Sequence, residues 1–301
     1  MEPADLSTSE NEYADKSQWA KAIDWALLGI GITFSVIGII FFFAYNWAQL
    51  HPFVKLGIMQ GIIILPILGI LLSKPAELVK KLILMGASLL VGVLFSTFGQ
   101  IYQTGANAYD FFLAWTVFIV LWTVISNFAP LWLIFLALVN TTIILSIGQI
   151  GMDMGFTTLA IILFLVNAAA GLLFKFMQIK NLADVPNWLI KITALAACTF
   201  MTMGLSYGLF ERGNLSFFIA LPLGLVTYGL AAWYAYKSRS LYLLCLLYLS
   251  IIIVGSFTLI RIMDGVTEAM FLVVSIFVIL SITLAVSQLV KLNKSWNEIS
   301  A

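Results

Sequence analysis

Residues 98–110 read Phe-Gly-Gln-Ile-Tyr-Gln-Thr-Gly-Ala-Asn-Ala-Tyr-Asp, a run of hydrogen-bonding side chains set between two apolar stretches. Gln100, Gln103 and Asn107 bring amide donors and acceptors, Tyr102 and Tyr109 bring phenols, and Asp110 supplies the only charge. Such a set suits a small polar or cationic ligand, or a lipid headgroup. The same residues also suit structural work, with amides capping helix ends and aromatics anchoring helices at headgroup level. Both readings stand on the sequence.

Other chemistry is thinner. His51 is the single histidine, and with Asp110 it could form a proton-transferring pair; a solvated turn histidine before Pro52 is the alternative. One histidine and scattered carboxylates provide no metal-ligand spacing, so neither a metal nor any other cofactor is expected. Gly204-Leu-Ser-Tyr-Gly208 has the spacing of a nucleophile elbow, but an elbow needs a strand-to-helix turn that an apolar helix does not supply. Gly204 and Gly208 read as close-packing positions, like Gly57 and Gly61. Cys198 and Cys245 fall at different depths within apolar spans, and no disulfide is expected. No catalytic residue is assigned.

The elements that must position these groups follow from composition. Hydrophobic residues make up 62% and charged residues 10% of the 301, too little polar surface to solvate a globule. About ten continuous apolar blocks, each near the roughly 20 residues needed to cross a bilayer, run over 22–44, 54–72, 79–101, 111–125, 130–148, 155–176, 188–209, 216–236, 241–260 and 266–290. Continuous blocks rather than alternating ones exclude a barrel, so the fold class is all-α, a polytopic membrane helical bundle. Residues 1–20 read as a polar tail, 21–150 as a first membrane half holding spans one to five, 151–290 as a second half holding spans six to ten, and 291–301 as a second tail. The first apolar run is too long for a signal peptide and is expected to remain as a span.

Orientation follows from Lys and Arg. With ten spans, one face receives Lys16, Lys21, Lys74, Lys80, Lys81, Lys175, Lys180, Lys191, Lys237, Arg239, Lys291 and Lys294, whereas the other receives Lys55, Arg212 and Arg261. The lysine-rich face is expected to be cytoplasmic, with both termini inside, in a multi-pass inner-membrane protein. The polar segment then lies outside, together with Asn46, Trp47 and His51 from the turn after span one. A net charge of +1 gives no nucleic-acid surface, and the inner-face lysines suit anionic membrane lipids.

Ala44-Tyr-Asn-Trp47 at the end of span one, followed by Gly99-Gln-Ile-Tyr-Gln-Thr-Gly105 and a downstream Trp115, resembles the bacterial predicted-membrane-protein family of domain of unknown function 2157. The resemblance covers roughly the first half of the chain and implies a multi-span bacterial inner-membrane protein with no activity to carry over. In place of a longer helical lead, this chain has a short tail.

Near mid-bilayer, Asn140 on span five and Asn167 on span six are the clearest polar side chains, and a mutual hydrogen bond is their simplest role. No acidic or basic residue falls near the centre of a span, which counts against ion coupling. A transporter, channel or lipid-translocating protein with an extracytoplasmic polar site is the favoured reading. The alternatives are a structural or signalling protein acting through a membrane-protein partner, and then a membrane-embedded enzyme.

Overall fold

The computed structural model describes residues 15–46, 50–73, 75–102, 105, 107–149, 154–211, 215–263 and 268–298, with the side chains of 43, 44 and 46 outside that description. Every regular element among them is a helix: α1 (Lys16–Asn46), α2 (Pro52–Ser73), α3 (Glu77–Tyr102), α4 (Ala108–Ser126), α5 (Ala129–Gln149), α6 (Phe156–Ile179), α7 (Asn187–Gly208), α8 (Leu215–Lys237), α9 (Leu241–Ile262) and α10 (Glu268–Glu298). All ten are long and apolar enough to cross a membrane. The chain is a multi-pass membrane protein.

Ends differ from the sequence expectation where polar residues continue a helix. Asp15 starts α1 by accepting the Lys16 backbone N–H on its carboxylate at 2.7 Å, so that helix begins well before residue 22. α10 likewise runs past residue 290, carrying Lys291 and Lys294 within it. The apolar block places span four at 111–125. Instead α4 begins at Ala108 and has 19 residues, because Asp110 lies in its first turn.

Two compact units divide the chain, Met1–Leu131 and Trp132–Ala301, with the border at the start of α5. In the first unit α3 is the hub, packing on α1, α2 and α4. Its buried face holds Gly86, Ala87, Ser88, Val91 and Gly92, small enough for neighbouring helices to approach the backbone. A Cβ on Gly92 would meet the Trp115 ring at 2.6 Å, and Trp115 Nε1 donates to the Ser88 carbonyl at 2.8 Å.

In the second unit α6 and α7 form the most extensive pair, and α7 packs further on α8 and α9. The α6–α7 turn takes Asn181 through φ 52°, and Gln178 Nε2 ties it by donating to the Val185 carbonyl and to Asn187 Oδ1. Glycines set the close approach: a Cβ on Gly204 would lie 3.0 Å from Ala160 Cβ, and one on Gly208 would lie 2.6 Å from the Phe217 ring. Gly57 and Gly61 differ, since nothing lies within 4 Å of a Cβ built on either. Their faces are open, and they do no close-packing work among the described residues.

Candidate functional site

None of the described residues of 98–110 lines the cavities of about 430 and 180 Å³ found elsewhere in the chain. Gln100 and Tyr102 are exposed on the last turn of α3, where Tyr102 packs on Phe98 with ring centroids 4.6 Å apart. Asn107 is the N-cap residue of α4, and the Asp110 carboxylate accepts its backbone N–H at 3.0 Å, the N3-to-N-cap half of a capping box. The one charge in the segment therefore works as a helix cap, and Tyr109 beside it is half-buried. Gln103 and Trp47 lie outside the described residues, as does the side chain of Asn46, although its backbone closes α1.

His51 sits exposed just before α2, stacked on Phe53 at 5.6 Å. Among the described residues no hydrogen bond or ion pair links His51 with Asp110, and no group of three His, Cys, Asp or Glu side chains could hold a metal. Lys55, counted above as an outer-loop charge, is buried to 7% exposure in the first turn of α2. Asp110→Ala is expected to cost less than about 1 kcal/mol, the scale of a lost helix cap, as a small fall in the thermal unfolding midpoint.

Asn140 and Asn167 meet. Asn140 Nδ2 donates to Asn167 Oδ1 at 3.2 Å, and Asn167 Nδ2 donates back to Asn140 Oδ1 at 2.8 Å and to the Leu163 carbonyl at 2.8 Å. Asn167 is completely buried, so its amide has no other place to turn. Asn140→Leu is expected to cost about 1–2 kcal/mol by stranding Asn167, and adding Asn167→Leu should recover part of that loss in a double-mutant cycle of thermal unfolding.

A third place was not read from the sequence. Helices α7 and α9 run parallel, with contacts at a nearly constant offset along their length. Tyr242 OH donates to the Lys191 carbonyl at 2.9 Å, Cys198 Sγ approaches the Leu246 carbonyl at 3.6 Å, Thr202 Oγ1 meets Ser250 Oγ at 2.5 Å, and Arg261 Nε donates to the Leu209 carbonyl at 3.1 Å. Between the two helices lies a half-enclosed cleft of about 430 Å³, lined by side chains of α7 and α9 with Phe156 of α6 and Phe210 of the following turn. Among the described residues, no charged side chain lines it. Its rim residues Met203, Tyr207 and Leu249 are 43%, 49% and 52% exposed, so the cleft opens sideways.

Hydroxyl groups form its inner wall. Thr202 donates to the Cys198 carbonyl at 2.6 Å, which leaves its oxygen to accept from Ser250, and Ser250 in turn accepts from Tyr228 OH at 2.5 Å. This relay joins α7, α8 and α9, and each of its protons has an acceptor. Ser206 is different. Its Oγ is buried and has no hydrogen-bond partner among the described residues, while the other Ser and Thr hydroxyls of α7, on Thr193, Thr199 and Thr202, bond to carbonyls three or four residues earlier. Cys198, Thr202 and Ser206 recur at four-residue spacing on one helical face, a stripe legible in the sequence once α7 is placed. Among the described residues that line the cleft, no imidazole or carboxylate stands beside the stripe to activate a nucleophile.

Residues 2–132 match a family described as "Predicted membrane protein (DUF2157)". The match ends at the border of the first compact unit, so it takes in α1 to α4 and leaves the α7/α9 cleft outside. No curated protein and no solved structure matches the chain.

Proposed function

We propose that this membrane protein resides in a bacterial inner membrane with its lysine-rich face inside, and that it binds and translocates a membrane-dissolved amphiphile. One observation carries this reading: the α7/α9 cleft opens sideways and is lined mainly by apolar side chains, with no charged side chain among the described residues that line it. An ion or a strongly polar solute would enter such a site only at a large desolvation cost, whereas an acyl chain loses nothing by moving from lipid into it. Pockets of about 300–1,000 Å³ are the usual size for a small ligand, and this cleft falls among them. The polar segment at Gln100–Asp110 then serves the membrane surface, with Asp110 holding the start of α4 and the exposed amides available to lipid headgroups.

The test is reconstitution of the full chain into vesicles carrying a headgroup-labelled phospholipid in both leaflets. Faster loss of inner-leaflet label to an external quencher than in protein-free vesicles is expected; equal rates would remove translocation. A second reading, as a partner-binding membrane protein, is favoured by α1. None of the residues in its apolar window is buried, and it packs on α3 along one edge. Recovery of a second membrane protein with the solubilised chain, lost on replacing exposed residues of α1 such as Phe34 and Phe41, would move the assignment there.

A further inference from the structure

We infer that the α7/α9 cleft is specific for an ester-linked acyl chain, with the Ser206 hydroxyl donating to the ester carbonyl. This deepens the amphiphile-binding reading above and rests on it. The depth of Ser206 is the first argument. α7 has 22 residues, and Ser206 stands eight or nine residues from its centre, about 13 Å along the axis at 1.5 Å per residue. The hydrocarbon core ends about 15 Å from the midplane. Ser206 therefore stands where acyl chains meet the ester groups that join them to a headgroup, and the cleft continues inward to Leu195 and Leu246 at the level of the span centre.

Chemistry is the second. Ser206 is 7% exposed with an unpartnered oxygen, and a buried hydroxyl in an apolar wall costs free energy until an acceptor reaches it. A hydrocarbon tail brings no acceptor, and an ether oxygen is a weak one. An ester carbonyl is a good acceptor and brings no donor of its own, which matches a cleft whose relay at Thr202 and Ser250 already has its protons placed. A cleft of about 430 Å³ is within the range that takes a small ligand, which gives room for an acyl chain. Past Phe210 and Phe257 stand Glu211, which accepts from Thr157 Oγ1 at 2.7 Å, and Arg261. With both signs at that end, the rim does not select a headgroup of one charge. The linkage is what the cleft selects.

The experiment compares two spin-labelled lysophosphocholines of equal chain length, one ester-linked and one ether-linked, binding to the full chain in detergent. Electron paramagnetic resonance reads the immobilised fraction. Wild type is expected to bind the ester about tenfold more tightly, the scale of one buried hydrogen bond, and Ser206→Ala should bring the ester down to the affinity of the ether. Equal affinities in wild type, an ester preference that survives Ser206→Ala, or no immobilised signal from either lipid would each overturn the inference. Binding with this preference but without transfer between leaflets would retain it and remove only translocation.

Discussion

Replacing Gly92 with alanine is expected to destabilise the first unit by about 2–4 kcal/mol, from overpacking together with a lost hydrogen bond. Trp115 of α4 lies across α3 where Gly92 has no side chain, and a Cβ there would stand 2.6 Å from two ring atoms. The ring has little freedom to yield. Its Nε1 donates to the Ser88 carbonyl at 2.8 Å, and its outer side packs on Phe111 and Phe112. Moving it enough to admit a methyl group breaks that hydrogen bond and buries an indole N–H without an acceptor. Gly99→Ala is the control, since nothing lies within 4 Å of a Cβ on that glycine of the same helix, and alanine has the better helix propensity. Thermal unfolding of the solubilised chain should show a clear fall for Gly92→Ala and none for Gly99→Ala. Adding Trp115→Leu to Gly92→Ala should cost less than the sum of the two single changes. Equal midpoints for the two glycine variants would show that Trp115 is not held as described.

How much of this was legible in the sequence depends on the physics that each feature uses. Helix number follows from blocks of apolar residues long enough to cross a bilayer, a signal written locally and repeatedly. The start of α4 lies in the polar segment, upstream of the apolar block at 111–125, because Asp110 belongs to its first turn. Asn-Ala-Tyr-Asp has the N-cap and N3 spacing that would have placed the helix start at Ala108. Asn140 and Asn167 stood out because amides are rare at the centre of apolar spans, and two consecutive helices bring them to the same depth. Trp115 was legible as a motif residue, but its seat on Gly92 was not, since any small residue on α3 could have faced it.

The α7/α9 cleft was illegible for a different reason. Thr202, Ser206 and Ser250 look like ordinary span hydroxyls, which normally turn back to their own helix, as Thr199 and Thr258 do. Only the pairing of α7 with a helix two elements later makes them converge, and nothing local in either helix records that choice. Close approach of α7 to α6 through Gly204 and Gly208 occupies one side of α7 and leaves the stripe of Cys198, Thr202 and Ser206 to face α9. The nucleophile-elbow spacing at Gly204–Gly208 is thus explained by packing: its glycines admit α6 and α8, and its serine turns toward the cleft.

Met203→Trp is expected to reduce binding of the ester-linked lysolipid, and with it lipid transfer in vesicles, at least about tenfold, the loss that follows when a ligand's contact volume is filled. Met203 lines the cleft one turn of α7 below Ser206 and Tyr207, and it is 43% exposed, so an indole can extend into open space rather than into a packed interior. Overpacking strain is therefore small, and the unfolding midpoint should stay near that of wild type. Ser206→Ala and Met203→Trp then differ in a telling way. Loss of the hydroxyl removes discrimination between ester and ether and leaves the chain-binding volume intact. Filling the groove removes both ligands together. If Met203→Trp bound and moved lipid as wild type does, the acyl chain would have to pass elsewhere, and the cleft would be a packing gap between α7 and α9 closed only by surrounding lipid.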